Sequence, residues 1–299
     1  MTDTFLRVEN LTDMVWANAE RFGDTVSLRR RAEDAWVDVT AREFAAEVGN
    51  VAKGLIGAGL KPGDRVALPS STRYEFAAWA AGGVTVGEDA DAEFRVAELP
   101  GATAGDEELH ARRLAVGPRD PATIRDGREV SHGEVLAEVR ATIAAYPGLL
   151  GPGNSMLIQA PLTEWFARIM SLACVYTRTT VGNSARVGDV GTFRPTTVVT
   201  EPRLLEKVYS AAKVRAQAED RGRLFHAAAA VAVDYSTAVK RGGPSVALRG
   251  KHLMASKFLY PKLRVALGGR CTAVISVGEP VDERLEHFFA GIGIPVHSA

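Results

Sequence analysis

The chain has 299 residues, 46% of them hydrophobic and 24% charged, and its 36 lysines and arginines are balanced by 36 aspartates and glutamates. That is the balance of a globular protein with a sizeable core, and it supplies no net field to draw in nucleic acid or an anionic membrane. The two cysteines, Cys174 and Cys271, stand far apart in apolar text, which excludes a disulfide framework or a close-spaced metal pair and suits buried thiols in a reducing compartment.

The opening MTDTFLRVEN lacks the basic segment and apolar run of a signal peptide, so residence in the cytoplasm is expected, with contact at the periphery of a membrane as the variant of that expectation. No transmembrane segment is expected: the most apolar run, FHAAAAVAV (225–233), is far too short to cross a bilayer and reads as a helix packed on something.

Leu11, Met14, Val15 and Phe22 recur at helical spacing, and Gly23 is expected to end that helix in the left-handed conformation. TVSLRR (25–30) and AWVDVT (35–40) alternate with period two around the turn AED, with the arginine run to Arg31 as a solvated strand end. Thr40 and Glu43 then form a capping box. The helix they open reaches Gly59, its glycines acting as terminators. DRVALP (64–69) reads as a strand and TRYEFAAWAAGG (72–83) as a helix. The same strand-then-helix beat returns at 156–176, 196–219 and 272–293. It predicts an α/β fold with parallel strands covered by helices.

Residues 87–120 break the rhythm, being acidic, rich in small residues and poor in elements apart from a helix near DEELHARRL (106–114). The domain reading is therefore an α/β segment over 1–86, a shortened irregular connection over 87–120 and a further α/β part over 121–299. In ATIRDGREVSHGEV (122–135), Asp126 and Gly127 are the pair that a tight hairpin turn prefers, and Ser131 with Glu134 reads as a second capping box.

Chemistry-bearing motifs are few. GxSxG, HExxH, paired CxxC and GxxxxGK[ST] do not occur. The six histidines are scattered, His132 in the first turn of a helix being read as structural, and Asp89 with Asp91 reads as a solvated acidic pair. No metal site and no catalytic residue are expected.

Several segments nonetheless carry a resemblance. GLKPGDRVAL, RYEFAAWAAGGVTV, DEELHARRLAVGPRDPATI, LLGPGNSMLIQAPL, FARIMSLACVYTRTT, GTFRPTTVV, PRLLEKVYSAAK and ALGGRC, in this order, resemble the N-terminal domain of actinobacterial long-chain acyl-CoA synthetases, in the AMP-forming, adenylate-forming superfamily. The resemblance implies the N-terminal fold of those enzymes. It also implies their reaction, in which a fatty acid and ATP give an acyl adenylate and the acyl group then passes to coenzyme A, with magnesium required.

The chain departs from the family where the chemistry sits. The family's TSGTTGRPKG loop should lie between Ile124 and Val130, where only RDGRE stands. The family's PLAH aligns with Pro161, Leu162, Thr163 and Glu164, so an acid replaces the histidine. Its SGGAPL appears as SVGEPV (276–281), with Val277 and Glu279 in place of a glycine and an alanine. The text ends at IPVHSA, before the family's YGLTE and its small C-terminal domain, which is read as absent. By resemblance, the substrate-facing positions that persist are Glu164, Trp165, Gly278, Glu279 and Pro280.

These departures predict a truncated, catalytically inactive relative that retains none of ATP, magnesium and CoA. Two alternatives stand beside it. One is an acyl-binding or regulatory module in which the helix beginning at Trp165 walls an acyl pocket. The other is a residual ligase completed by a separate chain. Partners expected are a weakly held fatty acid, and an intact ligase or a second copy meeting an exposed sheet edge; nucleic acid is not among them.

Overall fold

The computed structural model describes residues 9–33, 35–67, 76, 78–86, 94–95 and 104–299. The expectations for residues 68–75, 87–93 and 96–103, Asp89 and Asp91 among them, lie outside the described residues. The chain divides into two compact units. Unit 1 comprises Met1–Arg30, Val37–Pro152 and Pro161–Val181, and unit 2 comprises Arg31–Trp36, Gly153–Ala160 and Gly182–Ala299.

Unit 1 holds α1 (Asp13–Phe22), most of the hairpin β1 (Val26–Ala32) and β2 (Ala35–Thr40), α2 (Ala41–Gly57), β3 (Arg65–Ala67), β4 (Val84–Val86), β5 (Phe94–Arg95), α3 (Asp106–Ala115), β6 (Pro121–Arg125), β7 (Arg128–Ser131), α4 (His132–Ala145) and α5 (Trp165–Thr177). Its five-stranded sheet runs β5-β3-β4-β6-β7. The β3–β4, β3–β5 and β4–β6 pairs are parallel, and β7 turns back antiparallel on β6.

The helices follow the apolar spacing. Phe44, Val48, Ala52 and Leu55 put a buried stripe along α2. The α5 sequence is apolar nearly all round, and residues 169–175 are buried, Ile169, Leu172, Ala173 and Val175 of them in the unit 1 core. Phe44, Phe76, Trp79 and His132 form an edge-on series through that core, with ring centroids 5.9, 5.4 and 5.8 Å apart. Both capping boxes form. The Glu43 N–H donates to Thr40 Oγ1 at 3.2 Å while the Thr40 N–H donates to Glu43 Oε2 at 2.8 Å. Ser131 and Glu134 repeat the exchange at 3.2 and 2.9 Å.

Two local expectations need correction. Gly23 ends α1 with φ −52°, so it is not left-handed. Its lack of a side chain serves space instead, because a Cβ there would stand 2.6 Å from Arg42 Nη2. The second helix closes at Gly57, two residues earlier than the pattern suggested.

Unit 2 holds β8 (Ser155–Ile158), the end of β9 (Thr180–Asn183), α6 (Asp189–Phe193), β10 (Thr197–Thr200), α7 (Pro202–Ala218), α8 (Gly222–Lys240), α9 (Val246–Phe258), α10 (Tyr260–Val265), β11 (Ala273–Ser276), α11 (Glu283–Gly291) and β12 (Val296–Ser298). Its strands run β12-β11-β10-β8-β9, with β8, β10, β11 and β12 parallel. All four residues of β8, β10 and β11 are buried, as expected of parallel strands covered on both faces. The alanine-rich α8 packs on α11, so the short side chains of Ala228, Ala229 and Ala232 let Phe288 and Phe289 into a shared core.

Arg31 is another correction. Its Nη1 lies 2.8 Å from Asp189 Oδ1 within unit 2, and both side chains are largely buried, so this strand end is anchored and not solvated. Each unit also encloses one buried thiol that forms no disulfide, Cys174 in unit 1 and Cys271 in unit 2. Burial pushes the Cys174 thiol well above its ordinary value and the Cys271 thiol up to about 12.

Candidate functional site

In unit 1 the chain between Ile124 and Val130 is a two-residue hairpin. Asp126 and Gly127 have φ of 51° and 75°, the pair of positive values that a type I′ turn requires. Beyond it, Arg128 pairs with Glu134. Hydrogen bonds from the Ser131 amide and hydroxyl, and then the Arg128 charge, hold the Glu134 carboxyl below its usual range. The turn therefore presents an exposed carboxylate, Asp126, at its tip. It leaves no run of free backbone amides of the kind that cradles phosphate.

Trp165, the first residue of α5, sits behind this hairpin. The Arg125 guanidinium carbon is 4.4 Å and that of Arg168 5.6 Å from its ring centroid. The indole N–H donates to Glu138 Oε2. Arg168 in turn donates to the hydroxyls of Thr85 at 2.7 Å and Thr123 at 3.2 Å, both on buried residues of the sheet. The Trp79 indole N–H donates to Ala122 O at 2.7 Å, fixing β6 from within. Glu164 is the exposed N-cap of α5, with no capping bond from its side chain; its N–H donates to Pro161 O at 2.9 Å and its carbonyl accepts from the Arg168 N–H at 3.1 Å.

In unit 2 the residues named by the SVGEPV text leave the carboxyl end of β11. Val277 is buried and donates its N–H to Thr200 O at 2.9 Å, while Gly278, Glu279 and Pro280 are exposed. Gly278 has φ 85° with nothing within 4 Å of the position a Cβ would take. Glu164 and Trp165 thus belong to unit 1, and Gly278, Glu279 and Pro280 to unit 2.

Sequence reasoning missed the polar row just inside that edge. Thr200 pairs with Ser276 and Ser276 with Ser298 in parallel register, and the Gln159 N–H donates to Val199 O at 2.8 Å in continuation of β8. The carboxyl ends of parallel strands are where α/β sheets take ligands. Gln159 Oε1 and Ser276 Oγ are buried and have no hydrogen-bond partner among the described residues, a costly condition that a bound polar group would relieve. The signal for these positions was the polar residue closing each apolar strand run, in MLIQ, TVVT and AVIS.

A cleft of about 360 Å³ lies elsewhere in unit 2, walled by Tyr209, Leu285 and Phe288 with Glu206, Asp282 and Arg284 among its polar lining. Two carboxylates against one guanidinium suit a fatty-acid headgroup poorly. Among the described residues, no group of three or more histidines, cysteines or acids could hold a metal ion.

Residues 15–93 match the AMP-binding enzyme family. The long-chain-fatty-acid–CoA ligase FadD15 of Mycobacterium tuberculosis is 33% identical over 357 aligned residues, which take in 97% of this chain and 60% of the ligase. That alignment is longer than the 299-residue chain, so the ligase carries internal residues with no counterpart here. The N-terminal domain of FACL13 from Mycobacterium tuberculosis superposes with a TM-score of 0.62 at 15% identity, over 98% of this chain and 76% of that one. A fatty acyl-adenylate ligase from L. pneumophila, solved with acyl adenylate and pyrophosphate, gives a TM-score of 0.60 at 14% identity over 97% and 53%. The chain spans about 60% of the length of the curated ligase that it matches. Along nearly its whole length it resembles the N-terminal part of a long-chain-fatty-acid–CoA ligase, on the fold of the adenylate-forming enzymes.

Proposed function

We propose that this chain is a non-catalytic relative of the long-chain fatty-acid CoA ligases. The family reaction joins a fatty acid to AMP at the expense of ATP and then transfers the acyl group to coenzyme A. The observation that carries the reading is the Asp126–Gly127 turn, with its positive φ pair and its carboxylate tip. A triphosphate held by the family loop gains many hydrogen bonds to charged oxygens. Losing only three of them, at roughly 1.5 to 3 kcal/mol each, removes about 5 to 9 kcal/mol, or about three to six decades of affinity. The residues at the hairpin do not fit the phosphates of ATP. Glu164, in place of a histidine, adds an acid that would stand against the carboxylate of a fatty acid by about 4 kcal/mol at 4 Å and an effective dielectric of 20.

Purified protein given ATP, magnesium, palmitate and labelled pyrophosphate is expected to show only background exchange of label into ATP. Exchange well above a heat-denatured control overturns the reading.

A second reading, a binding module without adenylation, draws support from the orphaned Gln159 Oε1 and Ser276 Oγ at the sheet edge. A saturable fluorescent fatty-acid titration, lost in Ser276→Val, would favour it. The two buried thiols, neither in a disulfide, support residence in a reducing compartment such as the cytoplasm. No helix among the described residues is long and apolar enough to cross a membrane.

A further inference from the structure

In a chain of formal net charge zero, residues 235–278 hold eight lysines and arginines and no aspartate or glutamate. At the centre of that stretch lies α9. At 100° per residue, Val246, Gly250, Leu253, Met254 and Lys257 share one face of this helix, with Arg249 and Lys251 flanking it on opposite sides. That face looks outward: Val246, Leu253 and Met254 are 86%, 69% and 60% exposed. The opposite face is fixed. Ala255 is buried in the unit 2 core, the His252 ring hydrogen-bonds Gly291 O at 2.7 Å and stacks on Tyr235 at 3.7 Å, and Ser245 caps the first turn by accepting from the Leu248 N–H. Val265 on α10 adds a further exposed apolar side chain.

A helix docked through Ala255 and His252, showing valine, leucine and methionine to water between basic flanks, has the pattern of a helix that lies in a lipid headgroup layer. No acid lies in these 44 residues, and although Glu286 of α11 pairs with Lys240 at the start of the stretch, the exposed Arg249 and Lys251 beside the apolar face make the matching surface anionic. We propose that α9 is a membrane-surface helix, with Val246, Leu253 and Met254 entering the headgroup region of an anionic bilayer and Arg249 and Lys251 meeting its phosphates. This inference does not depend on whether the chain retains adenylation chemistry.

Co-sedimentation of the full chain with vesicles tests it. Mixed phosphatidylglycerol–phosphatidylcholine vesicles are expected to retain the protein, phosphatidylcholine alone to retain little, and added salt to release it. The pair Leu253→Ser with Met254→Ser, and the pair Arg249→Gln with Lys251→Gln, are each expected to weaken association about tenfold or more. Gly250→Leu is expected to strengthen it, since a Cβ at Gly250 meets nothing within 4 Å and would enlarge the apolar face. Circular dichroism and sizing of each variant separate these effects from misfolding. Equal retention by both vesicle types, or vesicle binding unmoved by both double variants, overturns the proposal. A wild-type dimer that Leu253→Ser with Met254→Ser turns to monomer without lipid overturns it in favour of a second copy of the chain.

Discussion

His132 shows how one buried side chain ties stability to pH. Its Nδ1 accepts from the Leu11 N–H at 3.3 Å, and burial lowers its pKa from 6.5 to about 4 against the opposing charges of Asp120 and Asp13. The unfolded chain therefore binds a proton that the folded chain refuses across that interval. The His132 contribution is fully present above pH 6.5 and is lost as pH falls toward about 4, for a total of about 3 kcal/mol. Urea unfolding in the two pH regimes should show that loss, and His132→Gln, which stays neutral, should shrink the difference by the same amount. A difference unchanged by the substitution would mean that other groups carry the acid sensitivity. Arg31 makes the complementary point. Nothing near it in sequence marks it as anchored, because its partner Asp189 comes from a helix 158 positions away.

At the scale of elements, the β6–β7 hairpin is the piece most fully written in local sequence. The two turn residues and the Ser131–Glu134 box point one way, and the structure follows them. A β-branched residue at Gly127 would be forced into φ 75°, so Gly127→Val is expected to lower stability by about 1 to 3 kcal/mol, read from its urea midpoint. Unchanged stability would show that the turn readily adopts another geometry. Capping boxes and amphipathic stripes are legible in the same way, since everything they need lies within four residues. The polar row of Gln159, Thr200, Ser276 and Ser298 was not, because parallel register joins strands separated by long crossovers and no short window contains two of its members. Nor could periodicity separate the outward apolar face of α9 from an ordinary core stripe: its inward side combines Ala255 with half-buried Leu248, His252 and Ser256.

At the scale of the whole chain, the neutral composition was true and incomplete. Equal totals of acid and base conceal a 44-residue stretch without a carboxylate, so the average charge says little about what α9 meets. The strand-and-helix rhythm gave the parallel α/β class, and the two cores follow from it, each assembled from its own unit's residues. The rhythm could not say where one unit ends and the other begins, because each takes up separate stretches of the chain.

Cys174 and Cys271 have a practical consequence. Each unit carries a single sulfhydryl sealed in its interior, so the natural sequence already contains one independent alkylation clock per unit. Exposed to iodoacetamide in native buffer, both should stay unmodified by mass spectrometry, and sub-denaturing urea should reveal which unit breathes first. Prompt carbamidomethylation of Cys174 without denaturant would show that its surroundings open far more often than their packing implies.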